Sequence, residues 1–399
     1  MINSLLDNLT DYPFDRLRDL LDPLSPPAGI TPLALSIGEP KHTPPGLIGE
    51  TLSASNDLWG RYPPIDGTAD FRDAVVQWLG RRYNLADGFI DPDCQILPVV
   101  GTREALYLIA MLAVDSVRKG PRPAVLFPNP LYHVYSGAAE MSGAEAITMA
   151  ATRDSGFLPD LDALDQQTLS RTALMTLCSP ANPQGAVADA AYLERAISLA
   201  RRHDFVLAID ECYSEIYSDR PPPGGAEVCA SLGGMDNVLI FHSLSKRSSA
   251  PGLRSGFVAG DARLIKRFKY LRSFAGATMP MPIMAASSAL WRDEAHVEEN
   301  RALYRQKFDL ADQLIGGRYG YKRPAGGFFL WLDVSVHGGG EEAAKRLWAE
   351  AGLRVLPGAY ISRTEADGTS PGDDYIRVAL VRPPDVTKTA LQGILKVLR

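Results

Sequence analysis

Short runs of apolar, β-favouring residues punctuate the middle of this chain, at Leu97–Val100, Ala124–Phe127, Ala146–Met149, Ala173–Cys178, Phe205–Ile209, Val238–Phe241 and Gly256–Ala259. Most are apolar at consecutive positions, the pattern of strands buried on both faces of a mainly parallel sheet. Helix-like stretches lie between several of them, at Arg103–Arg118, Asp189–His203 and Asp261–Phe274. Parallel neighbours need a crossover connection, usually a helix, so the alternation predicts an α/β fold with helices on both faces of a seven-stranded sheet.

The texture changes after Pro282. A long helical stretch over Met284–Leu314 precedes the run Phe328–Val334, a helix near Glu341–Ala351, the runs Leu353–Gly358 and Tyr375–Leu380, and a final helix. This reads as a smaller α+β domain. The first 45 residues are rich in proline and turn signals and are expected to form an arm and part of that smaller domain. The predicted division is therefore 1–45, a large ligand-binding domain over 46–281, and a small C-terminal domain over 282–399.

Charge and composition remove several classes of function. A net charge of −6 argues against a nucleic-acid or anionic-membrane surface. The longest apolar run, Ala105–Val114, is far short of the ~20 residues that span a bilayer. The N-terminal stretch is charged throughout and lacks the layout of a signal peptide. Cys94, Cys178, Cys212 and Cys229 are widely spaced, and with the scattered histidines they form no metal-ligand pattern, so no metal is expected. Thiols of this kind suit a reducing compartment, and a cytoplasmic location follows.

In open α/β sheets ligands bind beyond the carboxyl ends of strands, so the residues just past each predicted strand carry the most information. Past Val238–Phe241 come Ser243, Ser245 and Lys246, then Arg254. A lysine amine can form an imine with an aldehyde, and hydroxyls with an arginine can bind a phosphate on the same ligand. The alternative is a surface lysine on a polar loop. Past Phe205–Ile209 come Asp210 and Tyr213. A carboxylate at the end of a buried strand needs a partner, and a pyridinium nitrogen is a natural one. It could equally cap the next segment or pair with an arginine. Past Ala173–Cys178 stands Asn182, in an Asn-Pro-Gln-Gly turn, as a donor to a ring oxygen or as an ordinary turn residue. Past Leu97–Val100, Gly101-Thr102-Arg103 opens an apolar helix whose first N–H groups either attract phosphate or are capped by Thr102.

The order of these segments resembles the fold-type-I pyridoxal-phosphate enzymes of the class I/II aminotransferase family. The resemblance runs from Leu-Ser-Ile-Gly-Glu-Pro, ending at Pro40, to Tyr375–Leu380, and its most specific segments surround Lys246, Asp210 and Asn182. It implies pyridoxal 5'-phosphate as cofactor, with Lys246 as its Schiff-base lysine and proton carrier. Asp210 would partner the pyridine nitrogen, and Asn182 and Tyr213 would donate to the ring phenolate. Ser243, Ser245, Arg254 and the Thr102-Arg103 backbone would hold the phosphate. Tyr132 would stack on the ring, and Tyr62 would reach the phosphate in the neighbouring subunit of a homodimer. Gly38 and Arg377 would grip the substrate α-carboxylate, with Asn182 beside them. Amino acids and 2-oxo acids are the implied substrates. Gln184 replaces the threonine usual in that turn, but leaves Asn182 in place.

The segments Asp11–Leu21, Leu33–His42 and Cys212–Tyr217 also resemble bacterial succinyldiaminopimelate aminotransferases. That implies a role in diaminopimelate and lysine biosynthesis, with glutamate as amino donor. A general amino-acid aminotransferase, a carbon–sulfur β-lyase or an acyl-CoA-condensing synthase would use the same scaffold. The serine and lysine of Ser243-Leu244-Ser245-Lys246 also match the S-x-x-K of penicillin-binding enzymes, but neither S-D-N nor K-T-G follows. A DNA-binding effector sensor would need a further module in the 37 residues before Gly38, which contain Pro26-Pro27 and belong to an acidic chain.

Overall fold

The computed structural model describes residues 2–365 and 368–399. Its larger sheet has seven strands, here β1 Ile96–Val99, β2 Ala124–Asn129, β3 Glu145–Ala150, β4 Thr172–Cys178, β5 Val206–Asp210, β6 Val238–Ser243 and β7 Gly256–Gly260. Their order across the sheet is β1-β7-β6-β5-β4-β2-β3. Strands β2 to β6 run parallel to one another, and β3 joins them in the same sense. β7 alone runs against its neighbours β6 and β1. The continuously apolar strands are those buried along their whole length, β4, β5 and β6 among them. β3, at the edge, is half-buried.

Helices cover both faces. One apolar cluster centres on Trp78, Phe257 and Trp291. The other, across the sheet, joins Phe127, Phe241 and Phe268. The helix Ala190–His203 starts where Asp189 accepts a hydrogen bond from Tyr192 N at 2.7 Å, and stops at Asp204 in a left-handed conformation, φ 52°. Two expected helices are divided. The first stops at Ala113, because Asp115 accepts from Val117 N and Arg118 N and so begins a separate short turn. The long stretch after Pro282 is two helices, Met281–Arg292 and Ala295–Leu314. Between them Asp293 is extended and its carboxylate accepts from His296 N, restarting the helix.

The smaller α+β part is an antiparallel sheet of Phe329–Asp333, Tyr375–Ala379 and Leu356–Pro357, with the middle segment in the centre. Its core packs Leu330, Leu332, Ile376 and Val378 against Leu347, Leu391 and Ile394. Leu33–Ala34 pairs in parallel with Leu353–Arg354. The helix Pro13–Leu21 packs Leu17 and Leu21 beside Trp331 and Leu356.

The cap at Asp189 gives a direct test of helix placement. Asp189→Ala should lower unfolding stability by about 1 kcal/mol, and Asp189→Asn by much less, measured by urea denaturation.

Candidate active site

The carboxyl ends of β4, β5 and β6 open into one cavity of about 460 Å³. β5 ends on Asp210, β6 on Ser243, and Asn182 follows β4 by four residues. Lys246 stands on the single helical turn Leu244–Arg247 directly after β6. Arg377 reaches the cavity from the central strand of the smaller sheet, and Gly38 from the N-terminal segment. Thr102, Arg103, Tyr132, Tyr213, Ser245 and Arg254 complete the predicted lining. Tyr62 does not line it: the side chain is fully exposed on this chain.

Asp210 is buried, and among the described residues it makes no ion pair. Tyr135 donates to Oδ2 at 2.7 Å, and Cys212 N to Oδ1 at 3.2 Å. Burial raises its pKa, and the bonds from Cys212 and Tyr135 oppose that rise. Lys246 is half-buried, and its amine donates to the Gly38 carbonyl at 2.5 Å. Burial brings it down to about 8, against the pull of Cys212 and with a further push from Arg377. A lysine poised there keeps a substantial neutral fraction near physiological pH, as a nucleophile or proton carrier requires.

Arg377 is only 5% exposed and has no carboxylate partner among the described residues. Its Nη1 donates to Asn182 Oδ1 at 3.0 Å and its Nη2 to the Ser36 carbonyl at 2.7 Å, while Nε is buried without a partner. Burial pushes even this guanidinium down to about 10. The bond to Asn182 uses the amide oxygen and leaves the NH2 group to face the cavity. Gln184 is buried, and Gly185, at φ 72°, brings the turn so close to the smaller sheet that a Cβ would lie 2.6 Å from the Gly326 carbonyl.

The far corner is built for an anion. Gly101, at φ 74°, starts the helix Thr102–Ala113 with no side chain capping it, so its first N–H groups are free. Arg254 holds a left-handed conformation, φ 53°, and packs where a Cβ on Gly101 would lie. Its Nη1 donates to the Pro251 carbonyl at 2.9 Å. Ser243 and Ser245 place their hydroxyls 2.9 Å apart beside it. Thr102 is turned towards Cys212, 3.0 Å from its sulfur, and so does not cap the helix. Tyr132 packs edge-on to Tyr135, with ring centroids 5.6 Å apart.

Among the lining residues left unassigned in the sequence, Tyr135, Cys212, His133 and Phe329 touch the predicted groups. Tyr135 lies one helical turn after Tyr132, a spacing that puts both on one face, so it was findable. Cys212, two residues after Asp210 and next to Tyr213, carried no signal beyond its position. His133 contacts Arg103 at 3.0 Å, and burial lowers it to about 4, keeping it neutral. Phe329 supports Arg377, whose guanidinium carbon lies 4.4 Å from its ring centre.

Comparison with known proteins agrees with this geometry. The family model for aminotransferase class I and II matches residues 30–394. The chain is 34% identical over 356 residues to the 4-dedimethylamino-4-oxo-anhydrotetracycline transaminase of Streptomyces rimosus, covering 88% of this chain and 89% of that protein. It is 29% identical over 357 residues to the LL-diaminopimelate aminotransferase of Dehalococcoides mccartyi, covering 88% of each. An aminotransferase structure from Neisseria meningitidis matches over 100% of both chains, with 39% identity and a TM-score of 0.94.

The Tyr135–Asp210 bond predicts a specific loss. A hydrogen bond to a charged group is worth ~1.5–3 kcal/mol, so Tyr135→Phe should weaken pyridoxal-phosphate binding by roughly 10- to 100-fold. Titration of cofactor into the apoprotein, followed by absorbance, measures it.

Proposed function

The chain belongs to the class I and II aminotransferases, which depend on pyridoxal phosphate, and we propose from that premise how its residues divide the reaction and which substrate it takes. The observation that carries the reading is one cavity holding a half-buried lysine, a buried carboxylate and a buried guanidinium, none ion-paired among the described residues. Such groups are costly to bury alone, and a ligand with a ring nitrogen, an aldehyde and anionic groups satisfies all three.

When bound, pyridoxal phosphate supplies an aldehyde carbon for the amino group and a protonated ring that takes up the electron pair released at the substrate α-carbon. Lys246 would hold the cofactor through its amine, and the same amine, when free, would carry the proton of the substrate α-carbon. Asp210 keeps the ring nitrogen protonated, with Tyr135 and Cys212 N orienting its carboxylate. Asn182 and Tyr213 donate to the ring oxygen, and Tyr132 covers the ring face. Ser243, Ser245, Arg254 and the free N–H groups of Thr102 and Arg103 bind the phosphate. Arg377 grips the α-carboxylate by a two-pronged fork, with Gly38 and Asn182 beside it. Tyr62, exposed on its own chain, serves the phosphate of a second subunit in a homodimer. In this division residues 46–281 carry the cofactor, while 1–45 and 282–399 close over the substrate.

The substrate pair in this reading is N-succinyl-LL-2,6-diaminopimelate with 2-oxoglutarate, in cytoplasmic diaminopimelate and lysine biosynthesis. Support comes from the segments around Asp11–Leu21, Leu33–His42 and Cys212–Tyr217, and from a relative named for LL-diaminopimelate. The test is a half-reaction screen in which amino acids are mixed with holoenzyme and the cofactor absorbance followed. Glutamate and succinyldiaminopimelate should both bleach the band. A response only to aromatic or branched amino acids would remove the narrow assignment, and release of ammonia and pyruvate would indicate a β-lyase.

Two further outcomes follow. Lys246→Ala should abolish turnover with the fold retained, as judged by circular dichroism and steady-state rates. In the wild-type apoprotein the amine must be neutral to capture the aldehyde. The capture rate, read by stopped-flow absorbance, should therefore rise with pH through about 8 and level above it.

A further inference from the structure

Behind the catalytic lysine lies a polar chain that the scheme above does not use. Lys307, on the helix Ala295–Leu314, is 0% exposed, yet no carboxylate comes within ion-pair range of it among the described residues. Its Nζ lies 2.5 Å from His42 Nε2. His42 Nδ1 lies 2.6 Å from Asn300 Oδ1. Asn300 Nδ2 then reaches the carbonyls of Lys246, at 3.0 Å, and Arg247, at 3.1 Å.

The hydrogen-bond directions in this chain are forced. Two carbonyls accept only from the amide nitrogen of Asn300, so its oxygen must face His42. His42 therefore carries its proton on Nδ1, and its Nε2 presents a lone pair to Lys307. A proton on both His42 Nε2 and Lys307 would set N–H against N–H with no room between them. The pair can thus hold one proton fewer than the two groups would hold apart. Among the described residues no carboxylate pairs with Lys307 or His42 to relieve the second charge. Tyr304 offers only a ring face, 4.6 Å from Nζ. Glu39 and Lys41 pair with each other on the exposed side of the loop, and Arg247 is tied to Glu294. Burial alone takes the Lys307 amine down to about 7.

The chain also closes a loop around the active lysine. His42 follows Gly38 by four residues, and Gly38 accepts from the Lys246 amine. The His42 carbonyl accepts from Ser249 at 3.0 Å. The segment 38–42 is thus held at the Lys246 amine, at the Lys246 backbone and at the loop beyond it. We propose that Lys307 is a positioning residue for the transamination: through His42 and Asn300 it holds the Gly38 segment in register with Lys246, and a second proton on the pair releases it. This rests on the roles given above to Lys246 and Gly38. Because Gly38 belongs to the α-carboxylate grip, release should act on substrate affinity more than on turnover.

The test compares holoenzymes of the wild type, Lys307→Met and His42→Gln. Methionine keeps length without charge. Glutamine keeps a donor and an acceptor but does not titrate. The second proton falls on His42, which burial and Lys307 hold below the ordinary histidine value, so the wild-type KM for glutamate, divided by that of either variant, should rise at least about threefold as pH falls from about 7 to about 5, with the kcat ratio steady. In parallel, an amine with a folded pKa below its unfolded value leaves the unfolded state binding more protons. Wild-type Tm should therefore gain roughly 2 °C or more on that of Lys307→Met between about pH 7 and about pH 9. Flat KM ratios for both variants would overturn the proposal even if wild-type holoenzyme bleaches with glutamate. A wild type that never bleaches would overturn both this proposal and the functional reading beneath it.

Discussion

Charge buried without an internal partner is the constraint on which the rest of this structure depends. Asp210 closes the middle strand of the large sheet with a tyrosine hydroxyl and the backbone N–H and thiol of Cys212 for company, and no cation paired to it among the described residues. Lys246 and Arg377 reach the same cavity from other elements, and neither is ion-paired with a carboxylate among the described residues. Burying such groups destabilises a protein unless something compensates. Here the opposite charges line one cavity without forming a pair, and the space between them is what a charged, ring-shaped ligand fills. A ligand bound only by the folded state also stabilises it, so the cofactor offsets part of what the site costs the fold.

The sheet is what keeps those charges apart. Its parallel strands β4, β5 and β6 end side by side, so three successive loops deliver Asn182, Asp210 and Lys246 to one rim. The smaller sheet contributes Arg377 from its central strand, locked against the rim by the bond to Asn182. The N-terminal segment adds Gly38, whose own close fit is visible in the 2.5 Å between a built Cβ and the Phe329 ring. The cavity is therefore built between three separate stretches of chain, held by a few polar bonds.

Much of this was legible in the sequence because burial on both faces leaves a mark that periodicity can read. The apolar runs fall on β1 to β7, and residues at or just past the ends of β1, β4, β5 and β6 line the cavity. Helix boundaries were less legible. The breaks at Asp115 and Asp293 are made by single side chains accepting backbone N–H bonds, and an aspartate in a helical pattern does not announce which it will do. The supporting groups were harder still. Tyr135 acts through Asp210, and Lys307 acts through His42 and Asn300, which lie 265 and seven residues away in the chain. Only the folded chain brings such groups together.

The central claim, that Lys246 is the residue joined to the cofactor, has one direct measurement. Borohydride reduction of the holoenzyme fixes the carbon–nitrogen bond, and peptide mass spectrometry then locates the pyridoxyl group. The account predicts it on the peptide carrying Lys246 and on no other. A pyridoxyl group on a different lysine, or none on a protein that retains the cofactor, would contradict it.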